Sequence, residues 1–180
     1  MTSTDPTRYT ATAIALHWLM AVLIVLGYAF ILLREEFPKG SEPRALMKML
    51  HFSIGVTIFA LVWVRIAARF AGGPAPAITP APPAMQHKAG KIAHLALYGL
   101  MIGMPIGGML ILSFEGEAIP FFGLFEIGPL LTANEGYAET FEELHELGGT
   151  IGYFLIGLHA VAGLYHHYVR RDDTLKRMLP

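Results

Sequence analysis

Three stretches of this chain, Tyr9 to Leu33, Ile92 to Phe114 and Leu147 to Val169, run 23 to 25 residues without a Lys, Arg, Asp or Glu. At about 1.5 Å of rise per residue, each crosses a hydrocarbon layer about 30 Å thick as a helix. A fourth charge-free window, Met49 to Val64, has only 16 residues. Arg65 and Arg69 extend it, because their stems lie along lipid while their charged heads rise to the interface. Four spans are therefore expected, at about 11–33, 49–70, 92–113 and 144–169. A transmembrane strand needs only about ten residues and shows alternation, so spans of this length must be helices. The fold class is an all-α membrane protein, with residues 1–180 forming a single four-helix transmembrane bundle. The first apolar stretch is too long for the core of a signal peptide and no small-residue cleavage pattern follows it, so the first helix is expected to remain.

Charge sets the orientation. The N-terminus, the connection between spans two and three, and the C-terminus carry nine Lys and Arg against Asp5, Asp172 and Asp173. The other two connections carry only Arg34, Lys39, Arg44 and Lys48, against eleven acids. The excess of basic residues places both termini in the cytoplasm. Between spans two and three, Ala71 to Pro83 is rich in Pro and Ala and is expected to run extended along the cytoplasmic surface. The segment from Glu115 to Glu143 mixes aromatic and acidic residues and suits a short helix lying over the outer face. Pro105, among Gly103, Gly107 and Gly108, predicts a kink or a close helix approach in the third span.

Against this frame the histidines fall into levels. His145 and His159 are fourteen residues apart on one helix, so they share a face to within about 40° and differ in depth by roughly 21 Å. His51, just below the outer boundary on span two, matches the level of His145. His17, a little inside the cytoplasmic boundary on span one, matches His159. A single intramembrane His is as readily a packing residue or a proton relay as a ligand. Four matched in depth across three helices point instead to two stacked metal centres. Bare zinc calls for Cys or carboxylate partners at the same level, and the chain has no Cys and no carboxylate deep in any span. Iron in haem needs only two axial imidazoles and an apolar cavity, and without a CxxCH motif the haem is held non-covalently, as b-type.

The strings ALHWLM around His17, MLHFSIGV around His51, ELHELGG around His145, and GYFLIGLHAVAGLYHHYVRRDDTLKRMLP from Gly152 to the end resemble the bacterial cytochrome b561 family over essentially the whole chain. The resemblance implies a dihaem four-helix protein of the bacterial inner membrane that exchanges electrons with quinone, ubiquinone being the expected substrate. It implies His17 and His159 as ligands of the inner haem iron, and His51 and His145 as ligands of the outer one.

Other candidates surround these four. His94 begins span three near the level of His17. It is an alternative inner ligand, a hydrogen-bond partner of a haem propionate or quinone, or a plain interfacial residue. His166 and His167 close span four beside Arg170 and Arg171, where cations complement a helix C-terminus. One of them, with Lys91 or Arg69, is a candidate for lining a quinone pocket. Arg65 and Arg69 read either as positive-inside anchors or as partners of the inner haem's propionates, and Arg44 and Lys48 are their counterparts for the outer haem.

The expected function is electron transfer through two haems between an outer donor, possible superoxide included, and membrane quinone, which makes the chain an oxidoreductase. Eight Glu from Glu115 to Glu146 disfavour an anionic donor, whereas Arg34, Lys39, Arg44 and Lys48 offer a local positive entrance. A second reading is a cytochrome b subunit taking electrons from a soluble redox protein docked on the acidic outer loop. A third is a non-redox membrane protein whose His relay protons. Lipid is a partner in every case, and no nucleic acid is expected.

Overall fold

The structure is a computed structural model and describes residues 7–180; Asp5, counted above among the acids, lies outside them. Four helices dominate: α1 (Ala11–Leu33), α2 (Glu42–Ala71), α3 (Ala84–Glu115) and α4 (Glu135–Tyr165). All four are long and apolar enough to cross a membrane. α1 coincides with its apolar window. The other three run past theirs, because polar turns such as Glu42–Lys48 and Glu135–Glu143 continue the helix into water. Local chemistry sets the ends. The Thr10 hydroxyl accepts from Ala13 N at the start of α1, and Asn134 Oδ1 accepts from Tyr137 N at the start of α4. α3 ends at Gly116, whose φ of 75° is open to glycine and strained for other residues.

The helices pack in series, α1 on α2, α2 on α3 and α3 on α4. The tightest core lies in the first half of that series, where Met20 meets Ile54, Ile58 and Val62. α1 and α4 are instead bridged across a gap, notably by the Tyr28 hydroxyl donating to Gly149 O at 2.9 Å. Large apolar side chains such as Val25, Phe154 and Leu158 point outward, as a lipid-facing surface does. Pro105 is buried within α3, and the flanking Gly107 and Gly108 let His145 of α4 approach closely.

The segment after α3 departs from expectation. Among the described residues no helix lies over the outer face. Ile119–Phe121 (β1) and Phe125–Ile127 (β2) form an antiparallel hairpin. The turn between them places Phe122 and Gly123 at φ 50° and 69°, a geometry that suits a tight hairpin and breaks a helix. Pro120 at its start, and Gly128 with Pro129 behind it, leave too few residues for a helical turn to propagate. Ser53 of α2, fully buried, donates to Met49 O at 2.7 Å and accepts from Phe122 N at 2.8 Å, with Pro120 O 3.3 Å away, so it pins β1 against the bundle.

At the opposite end the two termini meet, as an even number of spans requires. α4 closes in a wide π-type turn, His166–Arg170, and Arg171 takes a left-handed conformation at φ 57°. The tail then folds back. Trp18 Nε1 donates to Met178 O at 2.6 Å, and Arg8 donates to Leu179 O. The Pro-rich linker has neither helix nor strand between Gly73 and Pro83, and the tail holds it: Asp173 and Thr79 exchange hydrogen bonds of 2.9 and 3.1 Å. Arg177, buried, donates to Pro76 O.

Candidate functional site

The bundle brings the four depth-matched histidines together as two pairs. At the outer level the rings of His51 and His145 have centroids 6.2 Å apart, with their planes at 80°. At the inner level the His17 and His159 centroids are also 6.2 Å apart, at 77°. Imidazoles at that separation do not touch. Two metal–nitrogen bonds of about 2 Å, with about an ångström from each nitrogen to its ring centre, span about 6 Å. Each gap therefore has the width that one metal ion between two imidazole nitrogens would need.

The surroundings favour a metal carried in an apolar macrocycle over a bare ion. Among the described residues, no group of three or more His, Cys, Asp or Glu is placed to hold a bare ion. A cavity of about 480 Å³ opens at the outer level, lined by His51, His145, Tyr28, Tyr153, Met104 and Gly108 among others. This volume lies within the usual range for cofactor pockets. His51 Nδ1 lies 2.8 Å from Gly27 O and donates to it, which fixes the tautomer and leaves Nε2 free toward the gap. His145 Nδ1 is buried and makes no hydrogen bond of normal geometry. The ring is seated by the Met104 backbone and by close approach: a Cβ on Gly107 would stand 3.3 Å from its Nδ1, and one on Gly108 3.5 Å from its Cε1.

The inner level holds a third ring. His94 lies 5.5 Å from His159, at 67°, so the structure gathers all three histidines that competed for this level. Arg65 joins them, with Nη2 3.2 Å from His17 Nδ1 and Nη1 3.4 Å from Ala13 O. Trp18 stands edge-on to His17 at 5.2 Å, so it packs the histidine level while holding the tail.

The remaining candidates sit further away. Arg69 donates to Gly73 O at 2.7 Å and lies over the Tyr9 ring at 5.8 Å. Arg44 spans the end of α1, donating to Arg34 O and Phe37 O and, in a two-pronged bond, to Glu35. Hydrogen bonds from Arg34 and Arg44 hold the Glu35 carboxyl below its ordinary range. Lys48 lines the outer cavity and pairs with Glu117 at 3.5 Å. Lys91 is exposed on α3. His166 is engaged by the tail, its Nδ1 2.6 Å from the buried Asp172 carboxylate, which also takes Arg170 Nε at 3.2 Å.

Arg34, read in the sequence as part of a positive entrance, lines the outer cavity with Lys48, as do Glu115, Glu142 and Glu146. One feature escaped sequence reasoning. The Tyr28–Tyr153 pair, 4.3 Å between centroids, walls the same cavity and had no signal beyond two aromatics among many.

A family model described as prokaryotic cytochrome b561 matches residues 8–180. Cytochrome b561 homolog 1 of Escherichia coli (strain K12) is 36% identical over 173 residues, covering 96% of this chain and 97% of that protein. The probable superoxide oxidase CybB of Yersinia pestis is 38% identical over 173 residues, 96% of each chain. Cytochrome b562 of Cereibacter sphaeroides is 29% identical over 181 residues, 98% of each.

Proposed function

The chain belongs to the prokaryotic cytochrome b561 family, and from that premise we propose that its two histidine pairs hold two b-type haems and carry single electrons between an outer donor and membrane quinone. It is a multi-pass inner-membrane protein and an oxidoreductase, a cytochrome b that transfers electrons. The non-redox reading is set aside on that ground. The observation that carries the two-haem reading is the repetition of one geometry: 6.2 Å between centroids with near-perpendicular planes, at two levels fourteen residues apart on α4.

Each haem supplies a one-electron iron couple, and the chain supplies everything that positions it. His51 and His145 serve the outer site, and the cations that line its cavity, Arg34 and Lys48, would exchange Glu35 and Glu117 for its propionates. His17 and His159 serve the inner site, because their spacing repeats the outer pair's and that of His94 with His159 does not. Arg65, already beside His17, is the nearest cation for an inner propionate. His94, Lys91 and His166 remain candidates for a propionate or for quinone at the cytoplasmic face. Ubiquinone takes two electrons and two protons to become quinol, so two single-electron turnovers complete one reduction.

A pyridine haemochrome assay on the purified protein should give two haems per chain. His51→Ala and His145→Ala should remove one b-type spectral component, and His17→Ala and His159→Ala the other. One haem per chain, with the spectrum intact in His51→Ala, would sink the two-centre reading. His94→Ala should keep both.

Superoxide is the first candidate donor, after the name borne by the Yersinia relative; it loses one electron to become dioxygen. The second is a basic redox protein. The observation favouring it is that Arg34, Arg44 and Lys48 are each already paired with a Glu, which leaves the outer face acidic. Ionic strength separates the two. Superoxide drawn in by the local cations reduces haem more slowly as salt rises, and superoxide repelled by the acidic loop reduces it faster. No reduction by superoxide at any salt would pass the role to the protein donor.

A further inference from the structure

The hairpin leaves an apolar surface that nothing in the bundle covers. Within ten residues, Phe122, Leu124, Phe125, Ile127, Leu130 and Leu131 are all exposed, Leu124 to 77% and Phe125 to 53%. The register puts Phe125 and Ile127 of these on one side. Ile119 pairs with Ile127 and Phe121 with Phe125, which puts these four on one face of the ribbon, while Pro120 and Glu126 pair on the other. At the β1 end the apolar face is sealed against the helices, where Ile119 is 1% exposed. At the β2 end it overhangs.

Depth is set by where the ribbon is tied. The hydrogen bond that ties it to α2, from Phe122 N, ends on Ser53, whose hydroxyl also lies 3.3 Å from Pro120 O. Ser53 lies five residues beyond Lys48, about 7.5 Å further along α2. The Lys48–Glu117 ion pair marks the polar boundary on that side of the molecule. The ribbon is thus fastened below the boundary, level with the apolar part of the span, and its overhang continues the lipid-facing surface of the bundle.

We propose that the β1–β2 hairpin is a re-entrant lipid anchor, with the side chains of Leu124, Phe125 and Ile127 seated in the outer leaflet and Glu126 facing the headgroups. The ribbon then has two tasks. β1 closes the flank of the outer cavity, which Ile119 lines, and β2 keeps that closure pressed to the bundle by burying its own apolar face in lipid.

The chain contains no cysteine, so single-cysteine variants can be spin-labelled without background. Full-length, haem-loaded Leu124→Cys and Phe125→Cys, in vesicles of phosphatidylethanolamine and phosphatidylglycerol, are compared with Phe154→Cys on the apolar flank of α4 and Glu139→Cys on its polar first turns. Power-saturation EPR reads collisions with dissolved oxygen, which partitions into lipid, and with a water-soluble nickel chelate. The expected result is that both hairpin labels behave like Phe154→Cys, with oxygen collisions several-fold above nickel collisions. Hairpin labels as open to nickel as Glu139→Cys overturn the proposal. So do labels shielded from both reagents, which would mean a protein cover, and labels broadened by a neighbouring spin, which would mean a second copy. Two reporting sites, each checked for retained haem, keep the outcome readable if one label perturbs the turn.

Discussion

Arg65 and Arg69 stand one turn apart on α2 and face different tasks. Arg65 reaches His17, whereas Arg69 is spent on Gly73 O and Tyr9. A guanidinium only donates, so in this arrangement His17 Nδ1 accepts. An imidazole that binds iron through Nε2 presents an N–H at Nδ1 instead, which turns Arg65 toward a propionate. Arg65→Leu should therefore release the inner haem several-fold faster to an apo-globin acceptor, while Arg69→Leu leaves that rate near wild type. Equal effects from the two variants would return both residues to the role of charge anchors. Asp172 offers a second residue-scale test. Burial works to raise its pKa, and the hydrogen bonds from His166, Thr174 and Arg170 outweigh it, bringing the carboxyl from 3.8 to about 2. A depressed carboxylate stabilises the folded tail above its ordinary pKa, and that contribution is lost as pH falls through the folded value. Tail docking should accordingly hold from neutral pH to about 4 and loosen as pH approaches 2. Asp172→Asn should loosen it already at neutral pH. Losing charge-assisted bonds worth about 1.5–3 kcal/mol each should raise tryptic cleavage after Arg177 about tenfold or more. Unchanged cleavage would deny the cluster its clasping role.

Among the elements, α4 is held chiefly by smallness. A Cβ on Gly152 would collide with Tyr28 Oη and come within 3.2 Å of Leu100, and one on Gly148 would meet Met104 Sδ at 2.6 Å. Gly152 sits midway between His145 and His159, seven residues from each. Gly152→Val should push α4 off α1 and lower haem retention at both levels. Gly157→Val, with open space around it, should do so much less. Equal haem content in the two variants would refute the spacer role. The hairpin is held by one hydroxyl, so Ser53→Ala should cost about 1–3 kcal/mol of local stability, read as faster hydrogen exchange at Phe122 N. Helices and histidine levels were legible in the sequence because a bilayer leaves few options: charge-free length dictates helices, and fixed rise converts residue number into depth. That arithmetic paired His51 with His145 and His17 with His159. It missed the hairpin, because an amphipathic segment near an interface reads alike as helix or ribbon until Pro120, Phe122 and Gly123 set the turn. It missed the Asp172 cluster and the folded-back tail for another reason. The tail's contacts run mostly through backbone carbonyls, such as Pro76 O and Met178 O, which leave no mark in residue identity, and Asp172 meets His166, Arg170 and Thr174 where the chain turns back at the left-handed Arg171.

For the whole molecule, orientation governs every use of inner and outer above. Glu139→Cys should react with a membrane-impermeant maleimide added outside intact spheroplasts, and Arg171→Cys only after lysis. The reverse pattern would exchange the two faces. Cysteine reporters suit this chain better than a fusion after Pro180, because the last residues are engaged by Arg8 and Trp18. With a haem at each histidine level of α4, as proposed, the protein would be part of an electrical circuit. Electrons relayed between levels about 21 Å apart traverse roughly two-thirds of a 30 Å hydrocarbon layer. One elementary charge crossing the whole layer exchanges about 2.3 kcal/mol per 100 mV, so this relay exchanges about 1.6 kcal/mol. With the cytoplasm negative, inward transfer runs against the field, and a 100 mV potential should shift the electron between the two centres by about an order of magnitude. A potassium diffusion potential imposed on proteoliposomes should therefore redistribute reduction between the two haem spectra without any added reductant. The energised membrane would then act as a brake on the protein, releasing it when the cell's own potential falls.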